Sequence, residues 1–141
     1  MALRNQDADP APKPIGELAL QTLAMPKDTN ANGDIFGGWL VSQMDLAAGI
    51  STKQVTHGRS ATVAIKNVSF LYPVSVGSIV SCYADIVDIG RSSMLINIEV
   101  WISNSITQHG LRKVAEGQFV FVAIDENGRT RRIELPNENT D

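Results

Sequence analysis

Residues 36–55, FGGWLVSQMDLAAGISTKQV, form the one stretch of this chain that reads as a helix, and they are apolar on most sides. A helix of that kind does not lie on a surface; the rest of the chain has to cover it. Everything around it reads as strand. Ile15 to Leu23 (IGELALQTL) is a first strand ended by Pro26, and Lys27 to Asp34 make a turn-rich loop. His57-Gly58 closes the helix, Gly being the usual stop. Four long strands follow, over Ala61–Tyr72, Gly77–Ile89, Arg91–Ser103 and Lys113–Ile124. The third alternates most clearly, with Met94, Ile96, Ile98, Val100 and Ile102 on one face and Ser93, Asn97 and Glu99 on the other. Short links force antiparallel neighbours. The expected class is therefore α+β, a strongly curved antiparallel sheet wrapped around one central helix. Phe70, Trp101 and Phe121 are expected on the outer face, so the chain is expected to associate with copies of itself.

With 141 residues the chain suits a single domain with its own core. Residues 1–14, broken by Pro10, Pro12 and Pro14, read as a flexible lead-in, 15–133 as the domain, and 134–141 as a flexible polar tail. A net charge of −3 argues against a general nucleic-acid surface. Cys82 is the single cysteine, so no intrachain disulfide forms, and no Cys/His cluster has metal-ligand spacing. There is no apolar run of signal-peptide or membrane-span type. The expectation is a cytoplasmic protein with no metal, no cofactor, no membrane and no nucleic-acid partner.

Asp45 is the residue that points to chemistry. Between Phe36 and Thr52 it is the sole charged side chain. Ionised aspartates are rarely buried without a partner or a task. The helical period puts Gly38, Ser42, Asp45 and Gly49 on one stripe, and three of these are small enough to leave space beside the carboxylate. Leu40, Ala47 and Ile50 on the far side suit packing. Phe36-Gly37-Gly38 opens the helix, where the first N–H groups lack internal partners and carry the positive end of the dipole. A thioester carbonyl placed there would be polarised. Gly-Gly by itself equally suits close packing of helix on sheet.

The run from Thr22 to Asp45, TLAMPKDTNANGDIFGGWLVSQMD, closely resembles the YciA-type acyl-CoA thioesterases of the hotdog-fold superfamily. Three further pieces agree in order: Val63-Ala64-Ile65 running into Phe70 to Gly77, the turn Gly90-Arg91-Ser92-Ser93, and Val122 to Asp125 before Gly128-Arg129. The resemblance spans about residues 17 to 133. It implies a hotdog fold, in which a five-stranded antiparallel sheet wraps one long central helix, and hydrolysis of acyl-CoA to free acid and coenzyme A. It implies homodimers joined edge to edge and often assembled into hexamers as trimers of dimers, with the active site between subunits. It carries the catalytic role to Asp45, carbonyl-binding amides to Gly37 and Gly38, and contact with the thioester to Asn32, Gly33 and Asp34. It matches Arg91, Ser92 and Ser93 to the turn that holds coenzyme A, and a guanidinium at Arg91 suits a phosphate. Thr62, at the start of a strand facing a neighbouring site, is a further pocket candidate. Asp45 could act as general base or as direct nucleophile, and the sequence leaves both open. A hotdog dehydratase would need a histidine beside the carboxylate, and neither His57 nor His109 is there. A non-catalytic acyl-CoA sensor of the same fold is the remaining alternative.

Overall fold

The computed structural model describes residues 12–103 and 110–135. Its elements run β1 (Glu17–Leu23), a 3-10 turn (Pro26–Asp28), α1 (Gly37–Thr56), β2 (Ser60–Phe70), β3 (Ile79–Ile89), β4 (Ser93–Ser103) and β5 (Arg112–Ala123). The five strands form one antiparallel sheet in the order β1-β3-β4-β5-β2. The helix touches every strand, the arrangement that the resemblance implies. Element ends differ from the sequence reading by no more than two residues, because Gly77 and the Gly90–Ser92 turn lie between strands rather than within them. His109 lies outside the described residues.

The alternation in β4 turns into burial: Met94, Ile96, Ile98, Val100 and Ile102 all face the core. Against them α1 sets Leu40, Met44, Ala47, Ala48 and Thr52. Gly117 in β5 lets Met44 of the helix lie close to the sheet. A Cβ there would stand 3.2 Å from Met44 Cε and 3.0 Å from Val68 Cγ2, so both side chains would have to give way. Register shifts between Leu18 and Leu20, Thr62 and Ala64, Lys66 and Ser69, Ile86 and Asp88, and Val100 and Trp101 bend the strands around the helix.

Three expectations are corrected. Phe121 is an inner-face residue, paired with Met94 and lying under Gly49, and so part of the core. Of the three aromatic residues expected outside, Phe70 is exposed, while Trp101 is covered and donates its Nε1–H to Glu99 at 2.9 Å. Second, the wrapped sheet leaves part of α1 uncovered in the single chain. Ile50, read as a packing residue, is exposed, as is Leu46. Third, His57 rather than Gly58 takes the left-handed conformation that ends the helix (φ 55°), its N–H bonding Lys53 O at 2.8 Å. Gly58 instead leaves room for Arg131: a Cβ there would lie 2.5 Å from a guanidinium nitrogen, which would have to shift.

β2 is an edge strand, hydrogen-bonded to β5 alone, and it exposes Val63 and Ile65. Exposed apolar side chains along an unpaired edge invite another chain. Among the described residues no helix is long and apolar enough to cross a membrane.

Candidate active site

Asp45 leaves the middle of α1 toward β2. Thr62 Oγ1–H donates to Asp45 Oδ1 at 2.6 Å, the short distance of a bond to a charged acceptor. Thr62, singled out as a pocket residue, is therefore first of all the partner of the carboxylate. The bond fixes one oxygen and leaves Oδ2 without a partner among the described residues. In the single chain Asp45 is half-buried.

A second hydroxyl contact repeats the arrangement farther along the helix, Thr52 Oγ1 to Ser60 Oγ at 2.9 Å. At the opposite end the ring of Phe70 lies over Gly37, where a Cβ would meet its Cζ at 3.1 Å. Residues 60, 62 and 70 thus meet 52, 45 and 37 in turn. The edge strand thus runs antiparallel to α1 along one side of it. Of the small stripe, Gly38 and Ser42 are exposed, with Ser42 Oγ–H donating to Trp39 O at 2.7 Å, while Gly49 lies over Phe121.

At the helix start, Trp39 and Leu40 both donate to Phe36 O, and Phe36 contributes no side-chain cap. The N–H groups of Gly37 and Gly38 have no partner among the described residues. Gly37 also answers to packing, because Phe70 fills the space where a side chain would go. Before the helix, Asn32, Gly33 and Asp34 are exposed on a tight loop. Its organiser is Asn30, which the sequence reading missed: Asn30 Oδ1 accepts from the N–H of Asn32 at 2.9 Å and of Asp34 at 3.2 Å. An Asn two residues ahead of Asn-Gly-Asp is a side-chain turn signal and could have revealed it. The buried Asp28 anchors the loop, accepting from Met25 N–H at 3.2 Å and Lys27 Nζ at 3.1 Å.

The turn Arg91-Ser92-Ser93 sits beside the start of β2, away from the helix N-terminus. Ser92 O accepts from Ala123 N–H at 2.8 Å and Arg91 O from Ile133 N–H at 2.8 Å. The 20-residue helix is about 30 Å long, with roughly 10 Å of rise between Gly38 and Asp45. Within one chain the sequence candidates thus form three groups: loop 32–34 with Gly37 and Gly38, then Asp45 with Thr62, then 91–93. Cys82 supplies no nucleophile, since burial pushes its thiol up to about 12. His57 is an exposed helix cap.

A thioesterase superfamily model matches residues 32–107. The acyl-CoA thioester hydrolase YciA of Salmonella typhimurium is 52% identical over 120 residues, covering 84% of this chain and 90% of that protein. A hexameric thioesterase from Yersinia pestis superposes with a TM-score of 0.82 at 49% identity, over 87% of this chain and 99% of that one. A hexameric broad-specificity acyl-coenzyme A thioesterase, solved as an aspartate-to-alanine mutant, gives a TM-score of 0.82 at 48% identity, over 89% of this chain and 90% of that one. A helix wrapped by a five-stranded sheet, a carboxylate held at mid-helix and half the sequence in common lead to one placement: the chain belongs to the hotdog-fold thioesterase superfamily, among the acyl-CoA thioester hydrolases of the YciA type.

Proposed function

We propose that this protein hydrolyses acyl-CoA to a free acid and coenzyme A, with Asp45 as the reacting carboxylate. The observation that carries the reading is the Thr62–Asp45 bond, which orients one carboxylate oxygen and leaves the other without a partner among the described residues. As general base, Asp45 takes a proton from a water that attacks the thioester carbon, then returns it to the departing sulfur. As nucleophile, it forms a mixed anhydride, expels the thiolate, and water opens the anhydride. In both routes the N–H groups of Gly37 and Gly38 serve the oxyanion.

Helix geometry bears on that choice. A carbonyl oxygen held about 3 Å from the Gly38 amide leaves its carbon out of reach of a carboxylate some 10 Å along the same helix. Amides and acid from one helix therefore require an intervening water. Direct attack requires the amides of one copy and the acid of another. The exposed edge of β2, with Val63 and Ile65, supports dimers joined sheet to sheet, and the hexameric relatives support a trimer of such dimers. In that assembly the 32–34 loop of one copy reaches the thioester at Asp45 of the next. Arg91, Ser92 and Ser93 hold the coenzyme.

Release of free thiol from a panel of acyl-CoAs tests the reading. Hydrolysis is the expected result, and tight binding without thiol release would make the protein a sensor instead. A single turnover in oxygen-labelled water separates the two routes: label inside Asp45 identifies the anhydride.

A further inference from the structure

A dimer formed along β2 covers the exposed Val63 and Ile65 of that edge, but the chain exposes apolar side chains elsewhere too. Ile15, Leu71, Tyr72 and Leu111 are all exposed, and together they ring one cavity of about 720 Å³. Trp101, itself buried, lines the same cavity. Its neighbours Val100 and Ile102 belong to the core, so the alternation along β4 puts Trp101 on the outer face of the sheet. The cavity is therefore on the side of the sheet away from α1. Three pieces of chain build it: the lead-in over residues 12–15, the segment after β2, and the start of β5.

Its walls are fixed from within. Leu71 and Tyr72 both donate their backbone N–H to Val114 O, at 2.7 and 3.4 Å. The guanidinium of Arg112 lies 3.6 Å from the centroid of the Tyr72 ring, a cation–π contact. Across the cavity Glu99 Oε1 accepts from Trp101 Nε1 at 2.9 Å and from Ile15 N–H at 3.1 Å, which holds the lead-in against the sheet. A surface whose side chains are already ordered loses little freedom when something docks on it. The residue types fit as well, because Trp, Tyr and Arg are those that dominate binding energy at protein interfaces.

The rim carries Lys13, Arg112 and Lys113. Lys113 is held by Glu99 and Glu116, whereas Lys13 and Arg112 form no ion pair among the described residues. Unpaired cations around an apolar centre favour an acidic partner, and a copy of a chain with net charge −3 is one. Position points the same way. β2 ends at Phe70 and Leu71 comes next, so this surface continues from the edge at which the first copy pairs. The other free edge, β1, exposes Leu18 and Leu23, but it is seven residues long, is interrupted by a register shift, and has no aromatic residue or arginine. Short, irregular edges are poor templates for pairing. We propose that the surface around Leu71, Tyr72 and Leu111 is where a second copy from a neighbouring dimer docks. A chain that holds one neighbour at β2 and another here can close into a ring of dimers. This assignment rests on the trimer-of-dimers reading and adds to it the surface through which the dimers meet.

Sedimentation of the full chain over a range of concentrations tests it. The unaltered protein is expected as a hexamer. The double variant Tyr72→Glu/Leu111→Glu, at two exposed positions, is expected to sediment as a dimer. The milder pair Tyr72→Ala/Leu111→Ala is expected to raise the concentration at which hexamers fall apart by about tenfold to a hundredfold, and it decides the matter if the glutamate pair does not fold. Leu18→Glu/Leu23→Glu on β1 is expected to remain hexameric. Hexamers that persist unchanged in both pairs at 72 and 111 overturn the proposal. So does a β1 pair that falls to dimers while the 72 and 111 pairs stay assembled. Monomers in place of dimers from the 72 and 111 pairs overturn it too, because the surface would then belong to the dimer itself. An unaltered protein that is only a dimer overturns the trimer-of-dimers reading and this surface with it, a result seen before any variant is made and so distinct from the others.

Discussion

The two faces of α1 are built from the same short stretch of chain and do opposite work. On one face Leu40, Met44, Ala47 and Ala48 are buried against β4 and β5. On the other lie Gly38, Ser42, Asp45 and Gly49, with the carboxylate bonded to the Thr62 hydroxyl of β2. The first face contributes stability through close contact, as at Met44 and Gly117. The second contributes less packing. On the proposed reading, a helix whose far side is packed into the sheet keeps the acid in place when a substrate arrives, as a loop would not.

Substitutions that separate stability from turnover sharpen the comparison. Met44→Ala should show the largest effect, a loss of about 2–5 kcal/mol in urea unfolding, with turnover per folded molecule close to normal. A stable variant with crippled kcat would break the division between the faces. Asp45→Asn should cut turnover roughly a hundredfold, about 2.7 kcal/mol of barrier, while the unfolding midpoint stays put. Turnover near that of the unaltered protein would remove Asp45 from the chemistry. Thr62→Val should lower kcat about tenfold, in the range of a hydrogen bond to a charged group, and Thr62→Ser should restore most of it. A loss in the Ser variant with none in the Val variant would mean that the methyl group matters rather than the hydroxyl. The smallest effect belongs to the packed interior. Cys82 should resist thiol reagents at pH 8 until the chain unfolds. Its raised pKa means the unfolded chain releases that proton first, so stability should decline as pH rises from about 9 toward 12. Rapid labelling of the folded protein would show that the core opens.

Much of this was legible in the chain. The β4 alternation placed five apolar residues correctly, because burial on one face of a strand has a period of two and nothing in Met94 to Ile102 disturbs it. The same reasoning failed for Phe121. In β5 both phases are apolar, Phe119 and Phe121 on one and Val120 and Val122 on the other, so composition could not say which faces the helix. Ile50 misled for a related reason: apolar residues on α1 exceed what one sheet can cover. Asp45 stood out as a lone charge in an apolar helix. Its bond to Thr62 did not, since hydrogen bonds across seventeen residues leave no local trace.

The strand order has a consequence for the chain's birth. β2, which carries Thr62, has a single sheet neighbour, and that neighbour is β5, the last strand to be made. Until β5 is present, β2 has no strand to pair with, and the Thr62 hydroxyl that bonds Asp45 has nothing to anchor it. On the proposed reading, a fragment that stops short of β5 should therefore not turn over.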